Sequence, residues 1–230
     1  MGGDITVLVF GPLRERIGIP ELHATGDTVA AVWESVARTH GLGAVPDGVR
    51  AARNLEYCAW DAPVSAGDIV AFLPPVAGGS GAAVDDRVEV ALTASPIDVA
   101  AATDIAGDAD GAVAVFIGRV RDHSDGHHVT HVEYEAYAPM AESETRRIAA
   151  VLVEGGGISR IRIMQRTGSL AVGEPSIVIA VAGPHRAAAL AACTAAIDMV
   201  KESVPIWKRE HRDDGAHWVD ARNDGGTSRQ

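Results

Sequence analysis

Apolar and polar positions alternate over residues 4–10, Asp4 to Phe10, in a β-rich run that predicts a first strand. Gly11 to Gly18 reads as a loop or turn, with a second strand near Glu21 to Ala24. The period then lengthens. Val29, Val32, Trp33 and Val36 share one face of a helix over 29–39, which Asp27 or Thr28 can cap and His40-Gly41 ends. Strands near 51–60 and 69–73 follow, separated by turns at Asp61-Ala62-Pro63 and Ala66-Gly67-Asp68. Two strands, a helix and two more strands describe an α+β roll with one helix laid across one sheet.

After Phe72 the chain changes character. Leu73-Pro74-Pro75-Val76-Ala77-Gly78-Gly79 is extended at its prolines, and Ser80 onward is a run of small residues, so a domain boundary falls here. We divide the chain into a first domain over 1–79, a linker over 80–87 and a second domain over 88–230. The second domain opens with a strand at 88–93, and Ser95-Pro96 predicts a helix start running to about residue 104. A strand over 111–121 leads through Asp125-Gly126 into one over 128–136, a hairpin signal. Pro139 opens a helix to about 153, supported by Glu142 and Arg146 four apart, and Gly155-Gly156-Gly157 stops it. Strands near 159–166 and 176–182 precede a long helix over 185–202 with Leu190, Cys193, Ile197 and Val200 as its buried stripe. Val204-Pro205 ends that helix, and short segments at 206–210 and 218–219 complete the domain.

Composition narrows the function classes. With 47% hydrophobic and 22% charged residues the chain is a globular one, and no apolar run approaches the ~18 residues of a membrane span. Asp4 precedes the first apolar run and no Lys or Arg does, which is unlike a signal peptide. Cys58 and Cys193 belong to no ligand-like spacing and read as buried thiols of a reducing compartment, the cytoplasm. A net charge of −11 argues against a partner such as nucleic acid or an anionic membrane. Eighteen of the 20 basic residues are Arg, and Lys201 and Lys208 are the only lysines. Either the two are leftovers of an Arg-rich composition, or lysine stands where a group must lose a proton or attack a carbon, which a guanidinium cannot do.

Four places could carry chemistry. Gly78-Gly79 is thin enough to thread a narrow tunnel, or else it begins a plain tether. Lys201 and Lys208 flank Pro205, so a turn can bring two ammonium groups together near Arg209, lowering each other's pKa and binding an anion; alternatively Lys201 is solvated and paired with Asp198. His185-Arg186 opens a helix whose free N–H groups favour an anion, unless it is an ordinary helix start. The stretch His123, His127, His128 with His131 straddles a turn, lacks a second ligand set, and reads as a solvated turn rather than a metal site.

Taken together, these segments resemble a known family. Leu73 to Gly79 resembles the tail of the small, ubiquitin-like sulfur-carrier subunit of molybdopterin synthase. Gly111-Ala112-Val113, Phe116 to Arg121, Tyr134 to Tyr137, His185-Arg186 and Lys201 to Glu210 (KESVPIWKRE) resemble the large, catalytic subunit, in the family's order. The departure is that two subunits, ordinarily separate chains, are fused here. The resemblance implies an α+β protein, a β-grasp (ubiquitin-like) domain followed by an α/β hammerhead-type domain. It implies that the large subunit accepts sulfur from a thiocarboxylate on Gly79 and delivers it to cyclic pyranopterin monophosphate. By position, Lys201 and Lys208 become the catalytic lysines, with Arg119, Arg121, His185, Arg186, Arg209, Glu210 and Arg222 lining the substrate site. No metal and no cofactor is expected.

Two consequences follow for assembly. His185 and Lys201 lie at opposite ends of one predicted helix, roughly 24 Å apart at 1.5 Å per residue, so one small pterin cannot touch both on the same helix. A homodimer through the second domain would let a second copy supply His185 and Arg186. A thiocarboxylate also needs a free carboxyl, yet Ser80 follows Gly79. Cleavage after Gly79 by a protease is therefore expected, with an adenylylating, sulfurating enzyme as the next partner. The competing class is a non-enzymatic ubiquitin-like module tethered to an adaptor domain, for which substitution of Lys201 would be silent.

Overall fold

The computed structural model describes residues 4–46, 48–74 and 85–219. The chain divides into two compact units, Met1–Ser80 and Gly81–Gln230. Gly78, Gly79 and Arg222, named from the sequence, lie outside the described residues, as does most of the linker.

In the first unit β1 (Ile5–Val9) and β2 (Glu21–Ala24) are antiparallel and enclose α1 (Gly11–Ile17); α2 (Val29–His40), β3 (Arg50–Arg53), β4 (Glu56–Cys58) and β5 (Ile69–Leu73) follow. The sheet order is β2-β1-β5-β3-β4, with β1 and β5 parallel at its centre. This is the β-grasp arrangement. Helix α2 begins where Thr28 accepts a hydrogen bond from the Ala31 amide and ends on Gly41 at φ 66°. Its Val29, Val32, Trp33 and Val36 are buried, and Trp33 meets Phe72 edge-on while Trp60 stacks on Phe72. Two expectations are corrected. Residues 11–17 are helical, because Pro12 sits in a first turn that needs no N–H and Leu13 has a core to enter. The segment 51–60 is not one strand but β3 and β4, folded back at Asn54-Leu55, both at positive φ.

The second unit runs β6 (Val88–Thr93), α3 (Val99–Thr103), β7 (Ala112–Arg119), β8 (His123–Ser124), β9 (His127–Ala136), α4 (Ala138–Glu154), β10 (Arg160–Arg166), β11 (Gly168–Ala171), β12 (Pro175–Gly183), α5 (Arg186–Ser203), β13 (Ile206–Arg212) and β14 (Gly215–Val219). One sheet has the order β6-β10-β12-β7; the other is β11-β9-β13-β14 with β8 on β9. Helices α4 and α5 cover one face of the first sheet, and Ile97, Ala102 and Ile105 cover Val178, Ala180 and Ala182 on the other. Strand β12 is thus buried on both faces, which accounts for its unbroken apolar run.

Three further expectations are corrected here. The helix predicted from Ser95 starts after Asp98, whose carboxylate accepts from the Ala101 amide, while the Ser95 amide is held by the Thr93 hydroxyl. Asp125-Gly126 does turn, with φ of 50° and 83°, but it joins β9 to the two-residue β8; β7 belongs to the other sheet, beside β12. On α5 the buried stripe is Ala189, Cys193, Ala196 and Val200, and Leu190 stands 58% exposed. Alanines let the helix approach the sheet more closely than a leucine stripe would. No helix of the described residues is long and apolar enough to cross a membrane.

Candidate functional site

Helix α5 stops where Pro205 has no N–H to continue it, which leaves Lys201 in its last turn, the end of the helix dipole that favours a cation. The chain then runs directly into β13, pairing with β9 from Ile206↔Ala136 to His211↔His131. Strand alternation sends Ile206, Lys208 and Glu210 to one face and Trp207, Arg209 and His211 to the other. The first face closes a cavity of about 230 Å³ with Val132 and Tyr134 of β9, the end of β7 and the last turns of α5.

The cavity brings together Arg119, Arg121, Lys201, Lys208 and Glu210. Its apolar wall includes Phe116, Ile177, Ile197 and Val200. Arg119 is fixed at its stem, Nε donating to the Gly173 carbonyl at 2.8 Å. Gly118 keeps β7 close to β12: a Cβ there would stand 2.7 Å from Ile177 Cγ2.

Glu210 sets the electrostatics. It is 3% exposed, with Lys208 Nζ 3.2 Å from Oε1 and Arg212 donating to Oε2 from Nε at 2.9 Å and Nη2 at 2.7 Å. Burial pushes its pKa up, but the hydrogen bonds and charge of Arg212 and Lys208 outweigh that and hold it below the usual carboxylate range. The one carboxylate among the described residues of the cavity wall is therefore already doubly paired, and these residues present net positive charge to whatever enters. Such a site suits an anion such as phosphate.

Not every residue picked from the sequence reaches this place. Arg209 points to the reverse face, its guanidinium 5.8 Å from the Trp218 ring centre. His185 and Arg186 are exposed at the far end of α5, which is one unbroken helix from Arg186 to Ser203. Lys208 shares the cavity with Lys201 and is also ion-paired with Glu210, a partner the sequence reading did not supply. Sequence reasoning missed His123, Gln165 and Ser176 as lining residues. His123, read as part of a solvated turn, borders the cavity with Asp122 Oδ1 2.6 Å from its Nδ1. Nothing local marks Gln165; it faces the cavity because β10 and β12 pair in the observed register, its amide nitrogen donating to the Ser176 carbonyl at 2.9 Å.

Neither cysteine lines the cavity, and burial pushes both thiols up in pKa, with Arg53 partly opposing this at Cys58 and the Phe116 backbone at Cys193. A sulfur chemistry in this cavity would not draw on them.

Residues 92–203 match the family described as MoaE protein, and residues 7–79 match the ThiS family. The chain is 39% identical to molybdopterin synthase catalytic subunit 1 of Mycobacterium tuberculosis over 118 residues, 51% of this chain and 80% of that one. It is 43% identical to the human molybdopterin synthase catalytic subunit over 108 residues, 47% of this chain and 57% of the human one, little more than half of that protein's length. Among solved structures, molybdopterin synthase from Staphylococcus aureus superposes with a TM-score of 0.53 at 36% identity, covering 59% of this chain and 98% of that chain.

Proposed function

This chain belongs to the molybdopterin synthase catalytic-subunit family and carries a ThiS-family domain ahead of it, and on that premise we propose that it moves sulfur from a glycine thiocarboxylate to cyclic pyranopterin monophosphate. The observation that carries the proposal is the meeting of Lys201, Lys208, Arg119 and Arg121 in one cavity whose only lining carboxylate among the described residues is already paired. The arginines bind the substrate phosphate. Lys201 is the principal catalytic lysine: its ammonium offsets the charge that builds on the acyl and pterin oxygens, and passes a proton as carbon–sulfur bonds form. In each round the thiocarboxylate sulfur bonds to a pterin side-chain carbon as a carbon–oxygen bond at that carbon breaks, the oxygen leaving with the opened cyclic phosphate or as water. A second water then cleaves the acyl–sulfur bond, and Gly79 is returned as a carboxylate. Two rounds leave the dithiolene.

The carrier carboxyl becomes available when a protease cuts between Gly79 and Ser80, after which an activating enzyme adenylylates and sulfurates it. The setting is the cytoplasm, where Cys58 and Cys193 stay reduced. His185 and Arg186 are exposed about 24 Å along α5 from Lys201, with Leu190 exposed on the helix between, and Val113, Val115 and Ile117 expose an apolar row on β7, whose outer edge is unpaired among the described strands. Both features support a homodimer in which a second copy completes the site.

The test is single-turnover sulfur transfer from the thiocarboxylated 1–79 fragment. Lys201→Ala is expected to lose roughly 100-fold or more, the scale of a lost proton-transfer group. Lys201→Arg, which keeps charge but cannot release a proton, should lose nearly as much. Unchanged transfer in Lys201→Ala would refute the assignment and leave the adaptor reading standing.

A further inference from the structure

The strands that present Lys208 and Glu210 to the cavity carry a second constellation on their reverse. His131 and His211 are directly paired across β9 and β13, and Glu133 follows His131 by two, on the same face. The imidazoles stack with centroids 4.0 Å apart at 14°. One nitrogen from each ring and one oxygen of Glu133 lie within 4.8 Å of one another, and all three residues are half-buried.

From this we infer that His131, Glu133 and His211 form a binding site for a divalent metal ion of the zinc class. A His-x-Glu pair on one strand with a His on its neighbour places three donors on one side of a sheet, at a spacing that a single ion of this kind spans with a fourth position left for water. The tautomer suits this. The Thr130 hydroxyl has one proton, given to the His211 carbonyl at 3.1 Å, so at 3.1 Å from His131 Nδ1 it acts as acceptor. His131 then holds its proton on Nδ1 and keeps a lone pair on Nε2, the outer-partner arrangement that orients metal-binding imidazoles. His211 Nε2 is 3.1 Å from Glu133 Oε2, and that nitrogen is shielded from solvent. Two imidazoles and one carboxylate favour zinc, nickel or copper over magnesium and calcium, which take oxygen ligands. A bound ion would clip β9 to β13 in the register that sets Lys208 and Glu210 on the opposite face. The inference is independent of the proposed sulfur transfer.

The experiment is calorimetric titration of ZnCl2 into the full chain after treatment with a chelator, alongside thermal melts with and without the ion. One zinc per chain and a raised melting temperature are expected. His131→Gln and His211→Gln should each weaken binding by more than ~10-fold, the loss that even an outer partner's removal produces. His127→Gln, which alters the neighbouring group of His127, Asp213 and Asp214, should bind zinc as the parent does. If a histidine variant does not fold, the isosteric Glu133→Gln carries the same expectation. Absence of zinc binding, or binding that survives both histidine substitutions and fails in His127→Gln, would overturn the inference.

Discussion

Glu210 shows how one buried residue can set the charge arrangement around a cavity. Its carboxylate takes Lys208 on one oxygen and Arg212 on the other, all three largely out of solvent. Removing it leaves two buried cations facing each other. Glu210→Ala is therefore expected to cost about 3–5 kcal/mol, the scale for breaking a buried ion pair by deleting one partner, read as a lower denaturant midpoint. Asp68 acts similarly in the first unit, at a turn. Hydrogen bonds from Asn54 Nδ2 at 2.7 Å and the Ser65 amide at 2.9 Å hold its carboxyl below the usual range. A depressed folded pKa contributes stability above the unfolded value of about 3.9, and that stability is lost as pH falls through the folded one. The first unit's melting transition should therefore fall more steeply as pH drops below about 4 in the parent than in Asp68→Asn. Identical acid limbs would show that the turn does not depend on this charge. The candidacy of Lys201 was legible from residue identity, because it and Lys208 are the only lysines of the chain. The burial of Glu210 was not, since nothing in the order Lys-Arg-Glu-His-Arg says which members face inward.

At the scale of elements, boundaries follow local chemistry wherever a cap or a close approach fixes them. Thr28→Ala removes the hydrogen bond that starts α2 and should cost about 1 kcal/mol in the first unit's unfolding free energy. Gly118→Ala meets Ile177 Cγ2 at 2.7 Å, and Ile177 has little room to yield on the heavily buried β12. Overpacking of about 1–3 kcal/mol and a narrowed cavity are expected, checked by melting and by substrate affinity. The period of apolar residues found α2 and α5, where it runs over three turns or more, while Pro139, the Glu142–Arg146 spacing and the glycine stop marked α4. It missed α1, too short to show a period, and β8 and β11, too short to show an alternation. Asp125-Gly126 was legible as a turn because both residues tolerate positive φ. Which strand it would pair was not, since the partner depends on where β7 finds a better neighbour.

For the whole molecule, the arrangement of α5 carries the strongest assembly prediction. An unbroken helix from Arg186 to Ser203 separates His185 from Lys201 by a length no side chain can span. Val115→Glu, placing a charge in the exposed row of β7, should shift the sedimenting species from dimer to monomer and reduce transfer with Lys201 intact. A monomeric parent with full transfer would defeat the shared-site proposal. Sequence alone determined that there are two folded modules of α+β type, the identity of the rare lysines, and the places where helices and turns must end. These are local matters, settled by side-chain shape, charge and backbone freedom within a few residues. Tertiary structure decided that Lys208 and Glu210 face the cavity while Arg209 and His211 face away. It also set His131 against His211 from about 80 positions along the chain, and sent β7 and β9 to different sheets. Strand pairing chooses among many registers of similar local energy, and only the burial of one whole face against another selects one of them.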